Sequence, residues 1–166
     1  MARCLTLFDR EVLRHLPPRI GLKLRLATLR RLGAIIGTGV QLGSGVRILH
    51  PPGLVLEDGA SVARDVTLDA RGGLTLKRDC LIGFESILLT STHNSAEVGI
   101  PIQAQGMYLA PVLIEERAWL GARTVMLPGT TAGTDSVVGT ASVVTRDVPC
   151  EAIVVGIPAK VLRQRT

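Results

Sequence analysis

His93 is the side chain of this sequence best placed to do chemistry. Imidazole is the side chain whose unperturbed titration lies nearest neutrality, so it can take a proton from a hydroxyl as that hydroxyl attacks. His93 directly follows a stretch of regular repeat and precedes about twenty residues that break it, so it leaves a scaffold instead of filling one. A structural histidine at a loop base is the plainer alternative. His15 and His50 occupy no such place and read as surface or structural residues. A base is usually oriented by a partner. Asp65, Asp69 and Glu85 are the carboxylates carried by the repeats before it, and a backbone carbonyl would serve as well. Trp119, the single tryptophan, comes just after the break. Cys4, Cys80 and Cys150 are odd in number, widely spaced, and show neither CxxC nor zinc spacing. They predict a reducing, cytoplasmic setting and no metal site.

The scaffold is a hexad. Aliphatic or small apolar residues fall at Ile114, Leu120, Met126, Ala132, Val138 and Val144. Four places after each comes a small residue or valine: Ala118, Thr124, Thr130, Ser136, Ser142 and Val148. Neither a helix nor a plain strand keeps such a period, whereas a solenoid of very short strands does, one hexad making a flat side and a corner. Glycine directly after the aliphatic, at Gly121, Gly133 and Gly139, suits a corner backbone with positive φ. Ile36, Leu42 and Ile48 begin the series, and Leu56, Val62 and Leu68 continue it past an interruption at His50-Pro51-Pro52-Gly53. A slip at Gly72-Gly73 resets it to Leu76, Ile82 and Leu88, with Cys80, Ser86 and Thr92 at the small positions. A β-sandwich would show a period of two instead. Aromatic content of 2% against 46% hydrophobic suits a core too narrow for rings.

At 166 residues the chain is one domain by length, divided into a helical, basic cap over 1–33, coils over 34–149 and a tail over 150–166. An excursion over 94–113 interrupts the coils and is a functional-loop signal. The cap holds eight Lys/Arg against Asp9 and Glu11, so the net charge of +5 is entirely N-terminal. Residues 1–16 read as helical up to Pro17-Pro18. Leu22, Leu26 and Leu29 then share one helix face, which predicts a cap over the first coil, and the basic residues would also suit weak contact with an anionic membrane surface. No segment has the length and apolarity of a membrane span, and nothing resembles a signal peptide. In the tail, Gly156-Ile157-Pro158-Ala159 reads as a turn and Lys160 to Arg165 as a short basic helix.

Several motifs resemble those of the hexapeptide-repeat acyltransferases. They are Thr92-His93, Ala118-Trp119-Leu120-Gly121-Ala122, Leu127-Pro128-Gly129, the run Ser142 to Pro149, and Gly156-Ile157-Pro158-Ala159-Lys160-Val161. The resemblance covers residues 33–165 and is nearest to the maltose and galactoside O-acetyltransferases and the colanic-acid-type acetyltransferases. It implies an all-β solenoid, a left-handed parallel β-helix, assembled as a homotrimer with acetyl-coenzyme A held between neighbouring helices. It implies direct transfer of an acetyl group to a hydroxyl of a sugar, glycan or small metabolite, with His93 as general base. Trp119 would line the cleft, unless it only packs the trimer. Gly121, Ala122, Gly139, Thr140 and Thr145 match positions whose backbone holds the coenzyme. Arg146, Lys160 and Arg163 match basic positions near its phosphates, where charge-assisted contacts are strong, although each alone could be a surface cation. Asp65 matches an acceptor position, but Ala63 stands where that pattern has Asn, which leaves sugar specificity open.

Rival readings are a serine- or amino-sugar-type acetyltransferase, a non-catalytic β-helix scaffold, and a metal hydratase on the same fold. The hydratase needs three histidines, of which His93 alone is in place.

Overall fold

In a computed structural model, residues 18–165 are described; the helix expected over 1–16, Cys4 and His15 lie outside them. Helix α1 (Pro18–Arg31) leads into strands of two to five residues that wind into three parallel sheets. The first sheet stacks β1 (Ile35–Ile36), β4 (Leu54–Leu56), β7 (Leu74–Leu76), β12 (Val112–Ile114) and β15 (Thr131–Ala132). The second stacks β2 (Gln41–Leu42), β5 (Ser61–Val62), β8 (Leu81–Ile82), β13 (Trp119–Leu120), β16 (Val137–Val138) and β18 (Ala152–Val155). The third stacks β3 (Arg47–Leu49), β6 (Thr67–Asp69), β9 (Ile87–Leu88), β14 (Val125–Met126) and β17 (Val143–Val144). This is the left-handed parallel β-helix that the resemblance implies.

The hexad works as a burial rule. Ile114, Leu120, Met126, Ala132, Val138 and Val144 are each at most 1% exposed, and the small positions from Ala118 to Val148 at most 5%. The second sheet contributes one aliphatic per coil, so like stacks on like up the column, as Ile82, Leu120 and Val138 do, while three-residue strands of the first sheet bury two, as Leu54 and Leu56 do. Both breaks in the period fall at the corner from the third sheet to the first. Ile35 pairs with Val55 and Val55 with Thr75, twenty residues apart, whereas Leu113 pairs with Thr131, eighteen apart. The two extra residues of each longer coil fall within His50-Pro51-Pro52-Gly53 and Ala70-Arg71-Gly72-Gly73. The excursion leaves at that corner too.

Four expectations need correction. Gly121, Gly133 and Gly139 do not have positive φ. A Cβ on Gly121 would lie 2.7 Å from the Thr140 nitrogen, and one on Gly133 equally close to the Cys150 nitrogen, so these glycines serve close approach between coils. The left-handed corner residues lie further along, at Asp65, Asp79, Glu85, Arg117, Arg123, Asp135 and Ala141, where φ runs from 56° to 61°. Short polar side chains tolerate that region best.

Lys160–Gln164 is not a helix but a strand, β19, antiparallel to β18. Gly156 (φ 103°) reverses the chain, and the backbone of Val161 and its neighbours finds the open edge of the last coil, which a free helix would leave unpaired. Thr92 is exposed, while Thr90 and Ser91 are buried, because the chain leaves the solenoid before reaching the next small position. The solenoid resumes at Val112, which pairs with Leu74, two residues before the expected Ile114.

Helix α1 caps the first coil. Leu29 is buried, and Leu22 and Leu26 pack against the core. Arg25 is buried and donates to the Leu42 carbonyl at 2.7 Å; Arg30 donates to the carbonyls of Ile36 and Gly37, both at 3.0 Å. Two of the basic residues are thus bound to the first coil's own backbone. Among the described residues, no helix is long and apolar enough to cross a membrane.

Candidate active site

His93 ends β10 (Ser91–His93), which pairs antiparallel with β11 (Met107–Leu109). A 3-10 turn at Ile102–Gln105 closes this hairpin, and Gln105 holds its tip by donating to the carbonyls of Glu97 and Ile100 at 2.9 and 2.8 Å. His93 is exposed and pairs through its backbone with Met107. Among the described residues nothing hydrogen-bonds its exposed imidazole.

The root of the hairpin is polar and buried. Asp69 is 0% exposed. Its Oδ1 accepts from the Arg71 Nε at 3.0 Å and from the Arg71 backbone N–H at 3.3 Å, and its Oδ2 accepts from the Ser91 hydroxyl. Burial alone would raise the Asp69 carboxyl, but the Ser91 and Arg71 donors outweigh it and hold the group below the ordinary carboxylate range. Thr90, also 0% exposed, donates its hydroxyl to the Asp69 carbonyl and accepts from the Gly72 N–H, both at 2.8 Å. Gly72 must be glycine, since a Cβ would meet the Thr90 carbonyl oxygen at 2.4 Å and the Ala110 nitrogen at 2.9 Å. The sequence marked Asp69 only as one of three carboxylates. Its partners Thr90, Ser91 and Arg71 carry no signal, because nothing local says which hydroxyls face a buried acid.

The other carboxylates are elsewhere. Asp65 and Glu85 occupy the corner from the second sheet to the third, a sheet's width from the His93 corner. Glu85 pairs with Arg123 at 2.8 Å. Trp119 stands half-exposed on the second sheet between Leu81 and Val137. That sheet lies opposite the corner that bears His93, so one chain does not bring Trp119 and His93 together.

Gly121, Ala122, Gly139 and Thr140 stack in one corner column, beside Trp119's sheet. The Ala141 N–H donates to the Ala122 carbonyl at 2.9 Å. A Cβ on Gly83 would fill space 2.6 Å from the Ala122 nitrogen, as one on Gly121 would beside Thr140. The bare glycines therefore let successive coils approach closely at this corner, and the Ala122 and Thr140 amides bond to no carbonyl among the described residues. The tail closes over this column, the Ala159 N–H donating to the Val143 carbonyl at 2.8 Å. Thr145 and Arg146 extend from β17, and Lys160 and Arg163 from β19; all four are exposed. No ion pair among the described residues engages Arg146, Lys160 or Arg163. No group of three or more His, Cys, Asp or Glu among the described residues could hold a metal.

The structure is a parallel β-helix with an exposed histidine on an inserted hairpin. The family model "Hexapeptide repeat of succinyl-transferase" matches residues 111–146. The chain is 34% identical over 148 residues to the "Putative colanic acid biosynthesis acetyltransferase WcaF" of Escherichia coli (strain K12), covering 89% of this chain and 79% of that one. It is 31% identical over 85 residues to the galactoside O-acetyltransferase of the same organism, 48% of this chain and 42% of that one. A hexapeptide-repeat-containing acetyltransferase from Vibrio cholerae O1 biovar eltor, solved with acetyl coenzyme A, superposes with a TM-score of 0.84 at 26% identity, over 99% of this chain and 85% of that one. The chain belongs to the hexapeptide-repeat acetyltransferases, and it is an acyltransferase enzyme.

Proposed function

We propose that this protein transfers an acetyl group from acetyl-coenzyme A to a hydroxyl of a sugar, glycan or small metabolite, with His93 as general base. The observation that carries the reading is His93 itself: an exposed imidazole, unbonded among the described residues, on a hairpin rooted in the solenoid. Acetyl-coenzyme A would supply the acetyl group as a thioester. His93 takes the acceptor's hydroxyl proton as its oxygen bonds to the thioester carbon; the carbon–sulfur bond breaks, and the proton returns to the departing sulfur. The Ala122 and Thr140 amides offer donors for the carbonyl oxygen. Arg146, Lys160 and Arg163 offer charge for the coenzyme's phosphates.

The site needs more than one copy. His93 and the column of Gly121, Ala122, Gly139 and Thr140 lie at different corners of the prism, and Leu81, Phe84 and Trp119 leave apolar surface on and beside the second sheet. A homotrimer that sets one copy's hairpin beside the next copy's amide column satisfies both facts. A cytoplasmic location fits a thioester donor. Helix α1 serves first as a cap; a peripheral membrane role for residues 1–33 would need salt-sensitive flotation with anionic vesicles.

The test is coenzyme A release against a panel of sugars, amino acids and amino sugars, with His93→Ala alongside. The variant should keep its fold, oligomeric state and coenzyme affinity, and lose about 10²–10⁴ in rate. Wild-type-like turnover in pure His93→Ala would refute the assignment.

A further inference from the structure

We infer that Asp69 is a positioning residue for His93: with Ser91 and Arg71 it latches the hairpin that carries the base to the corner of the preceding coil. This rests on the reading of His93 given above. Ser91 and His93 are alternate residues of one strand, so their side chains leave β10 on the same face. Ser91 spends its hydroxyl on Asp69 Oδ2. Its backbone pairs with Leu109, closing the ladder on its inner end, while the His93–Met107 pair lies at the outer end toward the tip. The direction in which the imidazole is presented is therefore set two residues inward, at a carboxylate that solvent does not reach.

The latch has three strands of attachment. The Asp69 carboxylate holds Ser91, the Asp69 carbonyl holds Thr90, and the Gly72 N–H holds the same Thr90 hydroxyl. All three run from residues 69–72 to residues 90–91. Arg71 completes it by bonding the carboxylate oxygen that Ser91 does not use, which fixes the plane of the carboxylate. The opposite face of the hairpin rests on the following coil, where a Cβ on Gly129 would lie 3.6 Å from the Tyr108 hydroxyl. The hairpin is thus seated between two coils, with the polar seat on His93's own face. Asp65 and Glu85 lack this relation, since each sits at another corner.

A merely structural acid and a positioning acid differ in what their removal moves. Asp69→Asn keeps the volume and one acceptor but turns an NH2 toward either Ser91 or Arg71. Ser91→Ala cuts the one bond from the Asp69 carboxylate to the hairpin and leaves the Asp69–Arg71 pair intact. Both variants should bind coenzyme A within twofold of wild type, because the exchanged atoms are buried at the hairpin's root and belong to no coenzyme-facing surface. Both should lose roughly tenfold or more in kcat while KM for acetyl-coenzyme A stays put, since small displacements of a base are costly. The double variant should lose no more than Asp69→Asn alone, because both cut one unit.

A second readout needs no acceptor. The His93 imidazole NMR signal, assigned through His93→Ala, should shift or broaden in both variants at constant pH. Superposable His93 signals in wild type and both variants would overturn the latch, as would unchanged kcat in folded variants. If Asp69→Asn does not fold, Ser91→Ala alone decides on the same criteria. A wild type that transfers to no acceptor would overturn the acetyltransferase reading instead, and the His93 signal would still judge the latch.

Discussion

Replacing Thr90 by Val tests how firmly the hairpin is tied to the coils. The two side chains have the same branched outline, so the change deletes a hydroxyl and little else. That hydroxyl makes two bonds, a buried one to the Asp69 carbonyl and a part-buried one from the Gly72 N–H, each 2.8 Å long. Both partner groups are main-chain, and each loses its partner at a site where Thr90 is 0% exposed. A buried polar group left unsatisfied costs about 1–3 kcal/mol, so the pair should cost about 2–6 kcal/mol. Thr130→Val is the internal control. It is 3% exposed and its hydroxyl makes one bond, to the Leu127 carbonyl at 2.7 Å, within a single corner. It should cost about 1–3 kcal/mol. In a chain of this size each kcal/mol moves Tm by roughly 2–4 °C, so the two variants should separate clearly in thermal and urea melts. Equal losses in the two variants, or a loss below about 0.5 kcal/mol for Thr90→Val, would refute the claim that the root is held by satisfied buried polar groups.

Replacing both Lys160 and Arg163 by Ala should raise KM for acetyl-coenzyme A more than for the acceptor, with a parallel loss of inhibition by 3′,5′-ADP; equal inhibition of wild type and variant would make these residues surface charge only. Burial pushes the Cys80 thiol up to about 12, so at neutral pH it should resist maleimide labelling until the chain is denatured, while exposed Cys150 labels at once, as peptide mapping would report. The Asp69 carboxyl lies below its unfolded value, so its contribution is fully present above the ordinary carboxylate range and is lost as pH falls through the depressed folded value. Melting temperature between pH 6 and pH 3 should therefore fall less steeply in Asp69→Asn than in wild type.

The solenoid was legible because its core repeats one environment. A single aliphatic per side is a strong local constraint, and Ile114 to Val144 display it without reference to anything distant. The corner chemistry was less legible. Glycine is demanded by two different causes, positive φ and close approach, and sequence does not separate them. The closest contacts at Gly121 come from Thr140, nineteen residues on. The tail was misread for a related reason. Lys160 to Gln164 has no decisive period, and the open edge of β18 that makes it a strand is a property of the folded coil. His93 could be singled out because it sits where the pattern stops. The Asp69–Ser91 bond spans 22 residues and depends on how the chain leaves the corner, which no spacing encodes.

The third-to-first corner absorbs every change of coil length. It accommodates two extra residues within His50 to Gly53, two within Ala70 to Gly73, and a whole hairpin between Leu89 and Val112, while the strands on either side keep their stacking. Val112 resumes pairing with Leu74 as if nothing intervened. Such a corner works as a socket: the stack supplies a fixed mount, and the plugged-in segment is free to vary in length and shape. A segment of another length grafted between Leu89 and Val112 should therefore leave the column of aliphatics unaltered, provided it keeps the seat at Asp69 and Gly72.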